Sequence, residues 1–261
     1  MGLAVATSLS TDPTWTIHIL DLSPTSGSAA ATSINATFHQ TNVSSYPSLS
    51  SVFASIYAST RRIDFVFANA GIAEHANFFA PSSTSTPDAP PAGLDAIIDV
   101  NLKGVVLTSW LALHYMRLSP PSPSKSLLMT SSCGGLYPSY YSPIYTASKH
   151  GVVGFMRSIS PYFFKEAGIR VNAICPGTVR TNLLSGEEWG NFPSEYFTPV
   201  EKVVGVVGML VRGRDEGKEG RVLNGCAVEI SGERHYYREV PEFCDEAMRC
   251  VIGVRFQEAE S

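Results

Sequence analysis

The feature that most constrains this chain is a regular alternation. Short runs rich in Val, Ile, Leu and Phe are separated by longer stretches with helical apolar spacing. Strand-like runs cover residues 16–21, 36–40, 63–68, 126–130, 170–175 and 227–230. Helical patterns cover 49–59, 94–116, 145–167 and 200–211, with a kink or restart expected at Pro161. Strands alternating with helices bury both faces as a parallel sheet wrapped by helices. The expected fold class is therefore α/β, a doubly wound, mostly parallel sheet. A chain of 261 residues suffices for one such domain. The Ser/Thr/Pro-rich stretches at 80–91 and 119–125 are short enough to be loops within it. From about residue 232 the tail reads as polar, helical and peripheral, without a further strand.

Composition narrows the partners. The net charge is -4, and the basic residues form no cluster beyond Arg61–Arg62. Nucleic acid and anionic membrane surfaces both need a basic face, so neither is expected. No stretch reads as a membrane span. Five scattered cysteines without paired spacing fit a reduced, cytoplasmic protein better than a disulfide framework or a zinc site, and no metal is expected. The sequons at Asn35 and Asn42 read as chance matches.

Chemistry concentrates at Ser132, Tyr145 and Lys149. Tyr145 and Lys149 are four apart on one helical stretch, so their side chains share a face. An ammonium beside a phenol favours the phenolate. Such a tyrosine can take the proton of an alcohol or return it to a ketone. Ser132 follows a strand end, where its hydroxyl can steady the substrate oxygen. The Tyr-x-x-x-Lys spacing is common by itself. Preceded by Thr-Ser-Ser-Cys-Gly-Gly and embedded in Tyr-Thr-Ala-Ser-Lys-His-Gly, it becomes specific.

Three further groups surround it. Asn69, Ala70 and Gly71 follow a strand, and their small size lets the backbone approach a flat ligand. Asn101 reads either as a solvated helical residue or as a polar link in a proton relay with Lys149. The run from Pro176 to Thr181, including Val179, is either a strand-ending turn or a loop that holds a carboxamide. Asp21 closes the first strand-like run and reads either as a cap on the next turn or as a carboxylate that accepts hydrogen bonds from both ribose hydroxyls of NAD. The same charge repels the extra phosphate of NADP, and Leu22 and Ser23 supply no cation for it.

In their order and spacing, these motifs resemble the classical short-chain dehydrogenase/reductase family. The resemblance runs from Gly2 to about Ile230. Local wording such as Gly-Leu-Tyr-Pro is similar to fungal members that resemble hydroxyprostaglandin dehydrogenase. It implies a Rossmann-type fold and a catalytic tetrad of Asn101, Ser132, Tyr145 and Lys149. It implies cofactor contacts at Asn69, Ala70, Gly71, Pro176, Val179 and Thr181, together with Tyr145 and Lys149. Asn42 and Val43 stand where the family has Asp-Val under the adenine. The implied reaction interconverts a secondary alcohol and a ketone with NAD(H), in a homodimer or homotetramer. The loop at 182–199 carries Trp189, Phe192, Tyr196 and Phe197, which suggests an apolar substrate.

One part of the pattern is missing. The family opens with a strand and a glycine-rich turn, and here Gly2 resembles that turn's last glycine. The sheet is therefore expected to lack its first strand and much of its pyrophosphate cradle. Its middle should gape, leaving two strands without a shared partner. The expectation is an N-terminally truncated dehydrogenase. The alternatives are a redox-inactive binding or regulatory protein, or a cofactor-independent acid/base catalyst.

Overall fold

A computed structural model describes residues 1–80, 93–123, 125–217, 220 and 222–253. Its main sheet has the order β3 (Phe65–Ala68), β4 (Ser126–Thr130), β5 (Arg170–Pro176), β6 (Ala227–Ser231) and β7 (Arg234–Arg238). The first four strands are parallel, and β7 is antiparallel to β6. A separate parallel pair joins β1 (His18–Asp21) to β2 (Thr37–Gln40), with Leu20 opposite His39. No ladder connects the two sheets among the described residues. The expected gap is real and lies between β1 and β3.

Every residue of β4 and β5 is buried, because helices cover both faces of the sheet. Leu127 and Met129 of β4 pack with α3 (Tyr46–Thr60), α5 (Gly104–Leu118) and α6 (Pro143–Ala167). Leu128 points the other way, toward α1 (Gly2–Ser10) and α8 (Val200–Arg212). Full burial of one such side chain is worth about 1.5–3 kcal/mol, so these strands anchor the molecule.

The structure departs from expectation in several places. The tail after residue 232 is not simply helical: it first forms β7, entered by a two-residue turn with Gly232 at φ 52°. A polar strand docks there because Glu229 of β6 is buried and pairs with Arg238. That strand extends the far edge and leaves the gap between β1 and β3 open. Only later does the tail turn helical, at α9 (Glu246–Met248) and the π turn Arg249–Gly253.

The helix expected at 94–116 is split into α4 (Leu94–Ile98), a π turn (Asp99–Lys103) and α5. The run Leu94–Leu118 is, after all, long and apolar enough to cross a membrane, with a mean hydropathy of 1.5. Here it serves as a core helix, with Ala112 and Met116 fully buried. Pro161 neither breaks nor restarts α6. Proline leaves the Arg157 carbonyl without its helical donor, and the Ser160 hydroxyl donates to that carbonyl at 3.3 Å. The helix α2 (Pro24–Ser33) was not expected; Ser23 caps it and Pro24 starts it. From residue 81, the connector expected at 80–91 lies outside the described residues.

The short turn Cys133–Gly135 carries the chain from β4 toward α6. A Cβ on Gly135 would lie 2.2 Å from Ser131 Oγ and 2.7 Å from the Lys149 carbonyl oxygen. Gly135→Ala should therefore force the turn away from α6. We expect a loss of about 2–3 kcal/mol in urea unfolding, and a lower thermal midpoint. An unchanged midpoint would refute this packing.

Candidate active site

The site is assembled at the ends of β3, β4 and β5. Past β4, the Ser131 amide continues the ladder by donating to the Ile174 carbonyl at 2.8 Å. The Ser131 hydroxyl donates to the Lys149 carbonyl at 2.8 Å, which fixes α6 against the strand end. Ser132 Oγ accepts the Gly134 amide at 3.1 Å, and a Cβ on Gly134 would lie 3.6 Å from that oxygen and 3.5 Å from the Tyr145 ring. One turn along α6, Lys149 Nζ donates to the Thr130 carbonyl at 2.9 Å and lies 5.6 Å from the centre of the Tyr145 ring. The expected trio thus meets in space.

Its electrostatics differ from the simple expectation. Burial without a counter-charge pulls the Lys149 ammonium down to about 8. Burial pushes the Tyr145 phenol up, and the Ser132 hydrogen bond only partly opposes this. The lysine therefore does not bring the phenol down in this state. Its own charge is marginal, and its ammonium is turned to a backbone carbonyl.

Asn101 is fully buried in the π turn. Its Oδ1 accepts the Ile72 amide at 2.8 Å, and its Nδ2 donates to the Ile72 carbonyl at 3.0 Å and to Ser148 Oγ at 3.3 Å. It stands behind the cavity, without a direct hydrogen bond to Lys149. Gly71 fills the space between them: a Cβ there would meet Asn101 Oδ1 and Lys149 Nζ, each at 3.3 Å.

The other expected residues converge. A cavity of about 1660 Å³ is lined by Gly2, Asp21, Asn42, Val43, Asn69, Ala70, Gly71, Ser132, Tyr145, Lys149, Pro176, Val179 and Thr181. Asp21 accepts the Ser23 amide through Oδ1 at 2.8 Å, which leaves its second oxygen free of the protein. Asn42 Oδ1 is held by the Ser44 amide and hydroxyl at 3.0 and 2.8 Å, so Val43 is the apolar member of that pair. Asn69 Oδ1 accepts the Thr130 hydroxyl at 3.1 Å, and Thr181 Oγ1 accepts the Leu183 amide at 3.3 Å. Trp189 is buried and donates to the Thr181 carbonyl at 2.8 Å, so this aromatic packs the 182–199 loop against the end of β5.

Two residues escaped the sequence reading. Glu74 Oε2 accepts the Tyr145 amide at 2.7 Å. Ser142, the N-cap residue of α6, makes no side-chain cap, so Glu74 supplies one from the loop after β3. Next to it, His75 Nδ1 lies 3.1 Å from Glu188 Oε1, in the capping box of α7 (Gly186–Trp189). No local signal reveals a cap that reaches across 71 residues.

The class now follows. The short chain dehydrogenase family model matches residues 1–189, and the chain belongs to that family. Among its relatives is the short-chain dehydrogenase/reductase prx7 of Penicillium rubens, 47% identical over 97% of this chain and 95% of that protein. Another is prx6 of the same fungus, 30% identical over 78% of this chain and 67% of that protein. The NAD(+) 15-hydroxyprostaglandin dehydrogenase of Rattus norvegicus is 27% identical over 76% of this chain and 71% of that protein. Family membership makes this an oxidoreductase-type chain with a Rossmann-type sheet.

Two measurements check the local physics. The folded Lys149 loses its proton near pH 8, well below the 10.5 of an unconstrained lysine. Between those values the unfolded chain holds the extra proton, so this group's contribution to stability rises with pH. From pH 7.5 to 9.5, wild type should gain about 2 kcal/mol relative to Lys149→Met in urea unfolding. A pH-independent difference would show that Lys149 titrates normally. Separately, Glu74→Ala should cost about 1 kcal/mol by uncapping α6, and Glu74→Gln should recover most of it. Equal losses in both variants would rule out the cap.

Proposed function

We propose that this chain is an NAD(H)-linked dehydrogenase that interconverts a secondary alcohol and a ketone. One observation carries the reading: Ser132, Tyr145 and Lys149 meet at a single cavity that also touches the cofactor-type loops. The residues present fit a nicotinamide dinucleotide. Lys149 spends one hydrogen bond on Thr130 and keeps two donors for ribose hydroxyls. The free oxygen of Asp21 suits the adenosine ribose and disfavours a phosphate there. The NAD(+) in the name of the rat relative supports the same preference.

When bound, the nicotinamide supplies the hydride acceptor or donor. The chain's own groups handle the oxygen. Ser132 donates to the substrate oxygen. Tyr145 takes the hydroxyl proton in oxidation and returns it in reduction. Lys149 holds the ribose through its two remaining donors. Asn101 positions this group by fixing Gly71 and α6 around it. Leu183, Leu184 and Phe192 give the far end of the cavity an apolar lining, which favours an apolar alcohol. Val106, Trp110 and Tyr162 are exposed along α5 and α6 and support a homodimer or homotetramer joined there. The five free cysteines support a reducing compartment such as the cytoplasm.

The test couples binding to turnover. Millimolar NAD should raise the thermal midpoint, and NADP should raise it less. A panel of secondary alcohols should yield NADH. Tyr145→Phe should keep the NAD shift and lose about a thousandfold in turnover. A chain that folds but ignores NAD would overturn the proposal in favour of a cofactor-free role. A Tyr145→Phe rate within tenfold of wild type would overturn the assignment of Tyr145.

A further inference from the structure

Glu229 stands out in the buried sheet. It is 7% exposed, in the middle of β6. Alternation sends Val228 and Ile230 to the α8 side, and Glu229 with Ala227 to the α6 side. A carboxylate there needs donors, because a buried charge without partners is costly. Two come from distant parts of the chain. Arg238, the last residue of β7, donates to Oε2 through Nε. Tyr137, 92 residues away, donates its hydroxyl to the same oxygen at 3.1 Å. Arg238 Nη2 donates in turn to the Tyr137 hydroxyl oxygen at 2.8 Å, so the three side chains close a ring.

The ring is attached to the turn that carries Ser132. Tyr137 lies just past Cys133–Gly135, and its amide donates to the Cys133 carbonyl at 2.9 Å. The same turn fixes Ser132. The Gly134 amide donates to its Oγ at 3.1 Å, and the Gly135 amide to its carbonyl at 2.8 Å. Upstream, β4 and Ser131 anchor this turn. Downstream, Leu136 packs on the core, and Tyr140 and Tyr141 are exposed. The ring therefore supplies the directional hold on the exit of the turn.

Arg238 reaches the other half of the site as well. Its carbonyl and that of Glu239 accept Arg157 Nη2 at 2.8 and 3.0 Å. Arg157 stands on α6, about two turns beyond Lys149. One residue of β7 thus grips the Ser132 turn through its side chain and the Tyr145 helix through its backbone.

We propose that Tyr137, Glu229 and Arg238 are positioning residues, which hold Ser132 Oγ in place relative to the Tyr145 hydroxyl. The proposal rests on the dehydrogenase reading. None of the three lines the cavity, so none touches the reacting atoms. Their effect passes through Ser132. A small displacement of that hydroxyl is enough to matter, because turnover depends steeply on the placement of reacting groups.

The experiment removes one hydroxyl. Tyr137→Phe cuts the turn from the ring and leaves the Glu229–Arg238 pair in place. Hydrogen exchange of the free chain, without NAD or alcohol, is read first. The amides of Gly135, Leu136 and position 137 should exchange about tenfold faster, with those of β6 and β7 unchanged. Turnover of secondary alcohols is read next. Here kcat should fall about ten- to a hundredfold, while the KM for NAD and the NAD-induced rise in thermal midpoint stay as in wild type. In a Ser132→Ala background, measured at high protein concentration, the same substitution should cost less than about twofold, because no placed hydroxyl remains to be disturbed. The proposal falls if exchange at the turn is unchanged in Tyr137→Phe, or if kcat stays within about twofold of wild type. It falls equally if the loss is as large in the Ser132→Ala background, since a general structural role would be additive. A wild type that binds no NAD and oxidises no alcohol overturns the dehydrogenase reading and the catalytic role with it. Faster exchange in that case supports only the hold of the ring on the turn.

Discussion

The candidate site depends on one buried amide. The side chain of Asn101 makes two hydrogen bonds to the backbone of Ile72 and one to Ser148. It thereby joins the loop after β3, the π turn and the catalytic helix at one point. A buried amide leaves little freedom, because each unmade bond costs about 1–3 kcal/mol. The π turn provides the orientation: it interrupts the run from α4 to α5 where the side chain must point inward. Such bulges recur at functional sites. Gly71 must then be bare, because it lies between this amide and Lys149.

Around that point, charge is handled sparingly. Lys149 is buried with a backbone carbonyl as its partner, and Tyr145 is buried against a hydroxyl. Neither group has an opposite charge to relax into. In this state burial therefore favours the neutral form of each group, and a bound ligand has to change those surroundings before the tyrosine gives up its proton.

Much of this was legible in the sequence. The apolar runs 63–68, 126–130 and 170–175 became β3, β4 and β5, because strands covered on both faces leave a dense signature. The break between β1 and β3 was legible too, since no other strand-like run in the sequence offered a partner for both. What stayed hidden was mostly non-local. β7 has a polar sequence and exists because Glu229 needs Arg238. The continuity of α6 through Pro161 depends on a serine hydroxyl satisfying one carbonyl. The membrane-length apolar run at α5 was missed because its π turn carries polar residues. The Glu74 cap joins residues too far apart in the chain for any spacing rule.

That cap has a consequence for how such a chain can change over time. The segment from Gly71 to Glu74 is short, and its two ends are fixed by different partners. Gly71 is held against Asn101 and Lys149, and Glu74 against the first turn of α6. An insertion or deletion within it would move the acid off the helix end or push the glycine out of the pocket. Loop length here is thus inherited together with the catalytic helix.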